Sequence, residues 1–290
     1  METRINYAND GSQYQKYQKP GVLKEGAGVA AGLVTTTAAP SLSLPVGMWA
    51  MKKAQKLGKS CSEADVVEIR KGMEKALDIS GMKAKGVTIK DYAGTPIKNE
   101  KLSILGRVKQ TILDQVKIKA AISEGRNAGY SSTANKVMIN TEKLGPAGFH
   151  EIGHAINFNN SKFWRALQKY RLFAPYVALS IAGVAILKRK KADGEKPTGF
   201  FDRTTTFIKN NAGKLAFGAM VPMLAEEVMA SVRGNKLAKS LLSPELAKKV
   251  IKMNGLGALG YVGAAAAVGL AATLGSKVRD KIASPKPVQV

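Results

Sequence analysis

The sequence predicts an α+β protein, mainly helical, with a small sheet and with transmembrane or membrane-embedded helices. Three observations lead there. Charged side chains gather between long uncharged runs, helical periodicity is interrupted by only short stretches of strand-like alternation, and both histidines share one helical pentapeptide. Of the 290 residues, 45 are Lys or Arg and 21 are Asp or Glu, giving a formal net charge of +24.

No charged side chain occurs from Gly26 to Met51, Leu172 to Leu187, Leu215 to Ala225 or Asn254 to Ser276. The first and last runs are long enough to cross a hydrocarbon core of about 30 Å, and the middle two are short for it. Thr35, Thr36, Thr37, Pro40 and Pro45 lower the hydropathy of the first run and predict a kink or break there. Gly257, Gly260, Gly263 and Gly269 in the last run favour close helix packing. Lys52, Lys53, Lys56 and Lys59 follow the first run, and Lys188, Arg189, Lys190 and Lys191 follow the second. Such flanks suit an anionic lipid bilayer. Nucleic acid is disfavoured as a partner, because the basic clusters border apolar runs and form no nucleic-acid module. Cys61 is alone, so no intramolecular disulfide staples the fold. The polar stretch ahead of the first apolar run argues against a cleavable signal peptide.

These patterns divide the chain into a mobile N-terminal tail (1–25), a membrane segment (26–51) and a basic α+β region (52–165). A membrane-embedded hairpin (166–225) follows, then a ligand helix and its successor (226–253), a transmembrane helix (254–276) and a C-terminal tail (277–290). Within the basic region, Ser62 and Asp65 form a capping box that opens a helix to Ile79, with Val66, Ile69, Met73, Ala76 and Leu77 on its apolar face. Gly86 to Tyr92 reads as a strand ended by Gly94-Thr95-Pro96. Ile104, Leu105, Val108, Ile112 and Val116 predict a helix, and Val116 to Ile122 either closes it or begins a strand. Lys136 to Asn140 is a short strand, with Val137 and Ile139 on one face. Leu144-Gly145-Pro146 then opens the next helix, where the missing N–H of Pro146 costs nothing.

That helix carries His150-Glu151-Ile152-Gly153-His154. Imidazoles four residues apart project from nearly one face and can grip one metal ion, while Glu151, about 100° further round, is placed to polarise a water on it. The HExxH spacing is the one used for Zn²⁺. A catalytic zinc takes three protein ligands, and with histidine exhausted the third is a carboxylate or Cys61. Pro222 to Ser231 offers Glu226 and Glu227 at the end of an apolar run, on a helix with Pro222 in its first turn. Ala230, Ser231 and Gly234 share the face of Glu227 and let another helix come close, so Glu227 is favoured over Glu226 as ligand.

Together these residues resemble the integral-membrane zinc metallopeptidases of the gluzincin type, those related to the heat-shock protease HtpX and the CAAX prenyl protease Ste24. The resemblance covers about residues 127–234. Asn127-Ala128-Gly129-Tyr130 is similar to the Asn-Ala motif ahead of the family's edge strand, HEIGH to its HExxH, and Glu227 to Ser231 to its ExxAD. It implies a zincin-like catalytic core and a strand at Val137 to Asn140 that pairs with extended substrate. It implies further a cytoplasm-facing site in the cell (inner) membrane, and a polypeptide substrate, including membrane proteins. Ser231 stands where that family has aspartate, so the contact that orients a ligating histidine is weakened or comes from elsewhere, with Asn235 as a candidate. Arg233, Tyr130 and Tyr170 are the candidates to stabilise an oxyanion.

The chemistry expected is peptide hydrolysis by a metal-activated water, with Glu151 as general base and proton donor to the leaving amine. The alternative is a non-catalytic basic scaffold or lipid-binding protein, in which HEIGH is inert or holds a structural metal.

Overall fold

The computed structural model describes residues 3–4, 17–38, 44–94, 118–192 and 195–287. Two compact units share the chain: Val46–Tyr170 with Pro222–Val262 form one, and Met1–Pro45, Arg171–Val221 and Gly263–Val290 form the other.

In the first unit, helix α3 (Glu63–Ile79) starts at the expected capping box: Ser62 accepts from the Asp65 N–H, and Asp65 accepts from the Ser62 N–H. Its buried face is the expected one, with Ile69, Met73, Ala76 and Leu77 entering a core shared with Phe149, Ile152, Leu242, Leu246 and Val250. Strands β3 (Thr88–Asp91), β4 (Gly129–Ser131) and β5 (Lys136–Ile139) form a sheet in the order β3-β5-β4. β3 runs parallel to β5 and β4 antiparallel. Asn135 makes the turn into β5 at φ 50°, a left-handed conformation that asparagine tolerates well. Asp91 fastens β3 to the short helix α5 (Thr141–Leu144), accepting from the Thr141 N–H at 3.1 Å and from Arg70 Nε at 3.0 Å. Residues 118–123 are helical (α4), so the part of the ambiguous segment from Ile118 to Ile122 is helix, while residues 116–117 lie outside the described residues. The helix expected through Ile104, Val108 and Ile112 lies outside the described residues. After a single 3-10 turn at Gly145–Ala147, helix α6 (Gly148–Asn160) follows, and α7 (Lys162–Tyr170) ends the segment.

Central placement of β5 corrects one expectation. Partnered on both sides, it offers no free edge, and Val137 and Ile139 are fully buried core residues that no substrate strand can reach. Sheet order depends on a parallel partner far upstream, which local alternation does not encode.

The second unit contains α1 (Val22–Ala38), α8 (Ala174–Leu187) and α9 (Gly199–Asn210), together with the start of α10 (Ala212–Leu241) and the end of α11 (Pro244–Ala283). Two-residue strands β1 (Thr3–Arg4), β2 (Tyr17–Gln18) and β6 (Lys286–Pro287) form a small antiparallel sheet there. Residues 17–25 and 277–287 are therefore structured in part where tails were expected. Helix α2 (Leu44–Lys59) begins at this unit's edge; within 26–51 the described residues belong to α1 as far as Ala38 and to α2 from Leu44, and residues 39–43 lie outside the described residues.

Among the described residues, the helices long and apolar enough to cross a membrane are α10 and α11, while α7 and α8 qualify only as a bent pair. Three boundaries move as a result. Leu215 to Ala225 is not one arm of a short hairpin but part of the 30-residue α10, which runs unbroken through Glu226 and Glu227. Pro222 lies inside that helix, where it removes one ladder bond, to the carbonyl of residue 218, without ending it. Residues 244–253 belong to the same 40-residue helix as 254–276. Charge placement set the expected boundaries, but carboxylates with buried polar partners do not terminate a helix.

Close packing in the second unit uses glycine at a few positions. A Cβ on Gly213 would lie 2.0 Å from Thr273 Oγ1, and one on Gly275 1.9 Å from Thr36 Oγ1. Gly269 also meets Gly213, whereas Gly257 and Gly260 face open space, so only part of the expected glycine series makes contacts. Lys209 is buried on α9 and joins three helices: it donates to Ala185 O at 3.0 Å and Ser276 Oγ at 3.2 Å, with Asp280 Oδ1 at 2.8 Å. Buried Arg279 lies 3.3 Å from the same carboxylate. Lys209→Met should destabilise this unit by about 1–3 kcal/mol through the acceptors left unmatched. Thermal unfolding in detergent should show a lowered midpoint, and an unchanged one would remove the ammonium from the account of the fold.

Candidate metal centre

Two helices of the first unit build the site. On α6, glycine at position 153 brings the helix into backbone contact with α10: a Cβ there would lie 2.1 Å from Ala230 O. One turn along, a Cβ on Gly234 would lie 2.4 Å from Phe149 O. The small-residue face expected on the Glu227 side is therefore the contact face, and it carries the Glu227 carboxylate to the two imidazoles.

Three atoms converge there. His150 Nε2 lies 2.9 Å from His154 Nε2 and 3.1 Å from Glu227 Oε2, and the third side, His154 Nε2 to Glu227 Oε2, is 3.5 Å. Tetrahedral zinc with bonds of 2.0–2.1 Å spaces its ligand atoms about 3.3 Å apart, and the triangle brackets that spacing. His150, His154 and Glu227 thus form a cluster able to hold a metal ion.

The other ring nitrogens have separate partners. His150 Nδ1 lies 3.0 Å from Ser231 Oγ, and His154 Nδ1 lies 2.8 Å from Glu226 Oε1. Ser231 thus touches the histidine directly despite lacking a carboxylate, and Asn235 bonds Asn254 instead. Asn157, completely buried on α6, donates to Glu226 Oε1 at 2.9 Å and to its backbone carbonyl at 3.3 Å. Sequence reading missed Asn157 and the contact role of Gly153. Asn157 could have been found as the residue one turn beyond His154 on the same helical face.

Acidic side chains gather at the site. Glu151, Glu226 and Glu227 are all buried. Burial disfavours a charged His154, but hydrogen bonds to Glu226 and Glu227 and the charges of Glu151 and Glu227 outweigh it, so the imidazole is pushed up to about 10. Three buried carboxylates facing two imidazoles call for added positive charge, which a divalent cation supplies. Arg233 lies in the field of Glu226.

Other expected site residues fall differently. Tyr130 OH donates to Asn135 Oδ1 at 2.6 Å and accepts from Asn159 Nδ2 at 3.0 Å, so its hydroxyl serves the β4–β5 turn. Asn127 is exposed, and its Oδ1 accepts from the Ala128 N–H at the entry to β4. Tyr170 ends α7. Of the oxyanion candidates, Arg233 is the one linked to the carboxylates, and its Nη1 is buried without a hydrogen-bond partner among the described residues.

Compared with protein-family models, curated proteins and solved structures, the chain matches none.

Gly153→Ala should push α6 and α10 apart and lower metal affinity at least tenfold while the chain stays helical. Chelator competition and circular dichroism would read the two effects, and unaltered affinity would separate this helix contact from the site.

Proposed function

We propose that the protein is a membrane-bound zinc-dependent endopeptidase of the gluzincin type, with His150, His154 and Glu227 as metal ligands and Glu151 as general base. The observation that carries this reading is the convergence of both Nε2 atoms and Glu227 Oε2 at zinc-like spacing. Support also comes from HEIGH, from the buried negative charge, and from two helices long enough to cross a membrane.

When bound, Zn²⁺ lowers the pKa of a coordinated water and polarises the scissile carbonyl. With His150, His154 and Glu227 holding the ion, Glu151, adjacent to His150, would be the base that takes a proton from the attacking water and gives it to the leaving amine. Arg233, whose Nη1 is buried without a hydrogen-bond partner among the described residues, is the candidate donor to the developing oxyanion. An extended polypeptide would pair with β4, whose only strand partner among the described residues is β5. In this reading the active site faces the cytoplasm from the inner membrane, beside anionic lipid.

Zinc analysis of detergent-purified protein should give about one ion per chain, lost in His150→Ala and in Glu227→Ala. Glu151→Gln should keep the zinc and lose peptide cleavage by at least about a hundredfold. No zinc in the wild type after metal-replete preparation, or undiminished cleavage by Glu151→Gln, would overturn the reading.

The metal-free site predicts a pH dependence. His154 is pushed up to about 10, so near neutrality it holds a proton that zinc must displace. Apparent zinc affinity should therefore rise with pH, by up to about tenfold per unit, and level off as pH passes His154's own pKa. Competition titrations at about pH 6 and about pH 8 would test the sign, and an affinity that falls over that interval would contradict it.

A further inference from the structure

Glu226 lies against the ring of His154 on the side opposite the metal cluster. Its Oε1 is 2.8 Å from Nδ1, whereas Glu227 Oε2 is on the Nε2 side. The two nitrogens of an imidazole point in different directions, so Glu226 cannot join Glu227 around an ion held by both Nε2 atoms. Neither is it a loose surface acid. It is fully buried, and Asn157 fixes both its Oε1 and its backbone carbonyl to α6.

The two histidines are also treated unequally. His150 Nδ1 meets the neutral hydroxyl of Ser231, and His154 Nδ1 meets a carboxylate. A carboxylate accepting Nδ1–H fixes the tautomer with the Nε2 lone pair free and raises the donor strength of that nitrogen, and a hydroxyl does so more weakly. Arg233 lies in the field of the same carboxylate.

We propose that Glu226, held by Asn157, is a positioning residue that acts through His154, locking its tautomer and setting most of the site's metal affinity. The inference rests on the metal reading above, but it concerns the one acidic residue that reading leaves without a role.

The test compares wild type with Glu226→Gln, Asn157→Ala and Ser231→Ala in the full-length chain in detergent, using zinc as the probe. Affinity is measured by chelator competition and coordination by the visible spectrum of the cobalt-substituted protein. Glu226→Gln should retain one metal per chain and a cobalt spectrum of the same coordination number, with affinity lowered 10- to 100-fold. Asn157→Ala should lower it in the same direction, and Ser231→Ala by a smaller factor. Unchanged affinity in Glu226→Gln and Asn157→Ala would overturn the proposal. So would a Ser231→Ala loss that exceeds the Glu226→Gln loss, or loss of stoichiometry in Glu226→Gln while Glu227→Gln keeps its metal.

Because the chain has two histidines, nitrogen-15 histidine labelling yields only two imidazoles to assign. If the wild type binds no zinc, the metal reading fails, and the labelled metal-free protein still decides this point. A downfield Nδ1–H proton on His154 that disappears in Glu226→Ala is expected, and one that persists unchanged excludes Glu226 as its acceptor. Should the Glu226 variants fail to fold, Asn157→Ala carries the same comparison.

Discussion

The candidate site depends on one backbone contact, the crossing of α6 and α10 at Gly153 and Ala230. Without Cβ at 153 and 234, the helices approach closely enough for a glutamate on one to reach both imidazoles on the other. Both distances from Glu227 to the imidazoles follow from that spacing, while the distance between the imidazoles is set within α6. The core of the first unit supports the contact from behind: Phe149 and Ile152 of α6 pack with Ile69 and Met73 of α3 and with Leu242 and Leu246. A Cβ on Gly148 would lie 2.5 Å from Met73 Sδ, so α6 is closely packed on its α3 side as well. Rigid placement of both helices is what a metal site needs, because ligand geometry tolerates little drift.

Buried charge gives the site its chemical direction. Carboxylates in an apolar setting are costly unless neutralised, and here three of them surround two imidazoles. A structural ion pair would need one carboxylate per cation. Two Nε2 atoms and one Oε2 facing a common point form a cluster that could hold a metal ion.

Much of this was legible in the sequence. The capping box at Ser62 and Asp65 and the apolar series to Leu77 foretold α3, and the spacing of His150 and His154 foretold a shared face, because both depend on helical periodicity alone. The preference for Glu227 over Glu226 came from Ala230, Ser231 and Gly234, the residues that now form the helix contact. Nonlocal features were not legible. The central position of β5 depends on pairing with β3, and the continuity of α10 past Glu226 depends on partners supplied by α6. The start of α1 at Val22 lay within residues read as a tail.

Glu227 shares one unbroken helix with Leu215 to Ala225, only two residues beyond that uncharged run. At 1.5 Å of rise per residue, the carboxylate lies about 3 Å along the axis from the end of the apolar stretch. A helix placed in a bilayer by its apolar length tilts to match the thickness around it. Glu227 thus stands on one of the two helices long and apolar enough to cross a membrane, while the two histidines belong to a helix outside that stretch. Under the proposed reading of a membrane-bound metal site, a change in the tilt of α10 would reach the ligand cluster through Glu227 and through the α6 contact at Gly153 together.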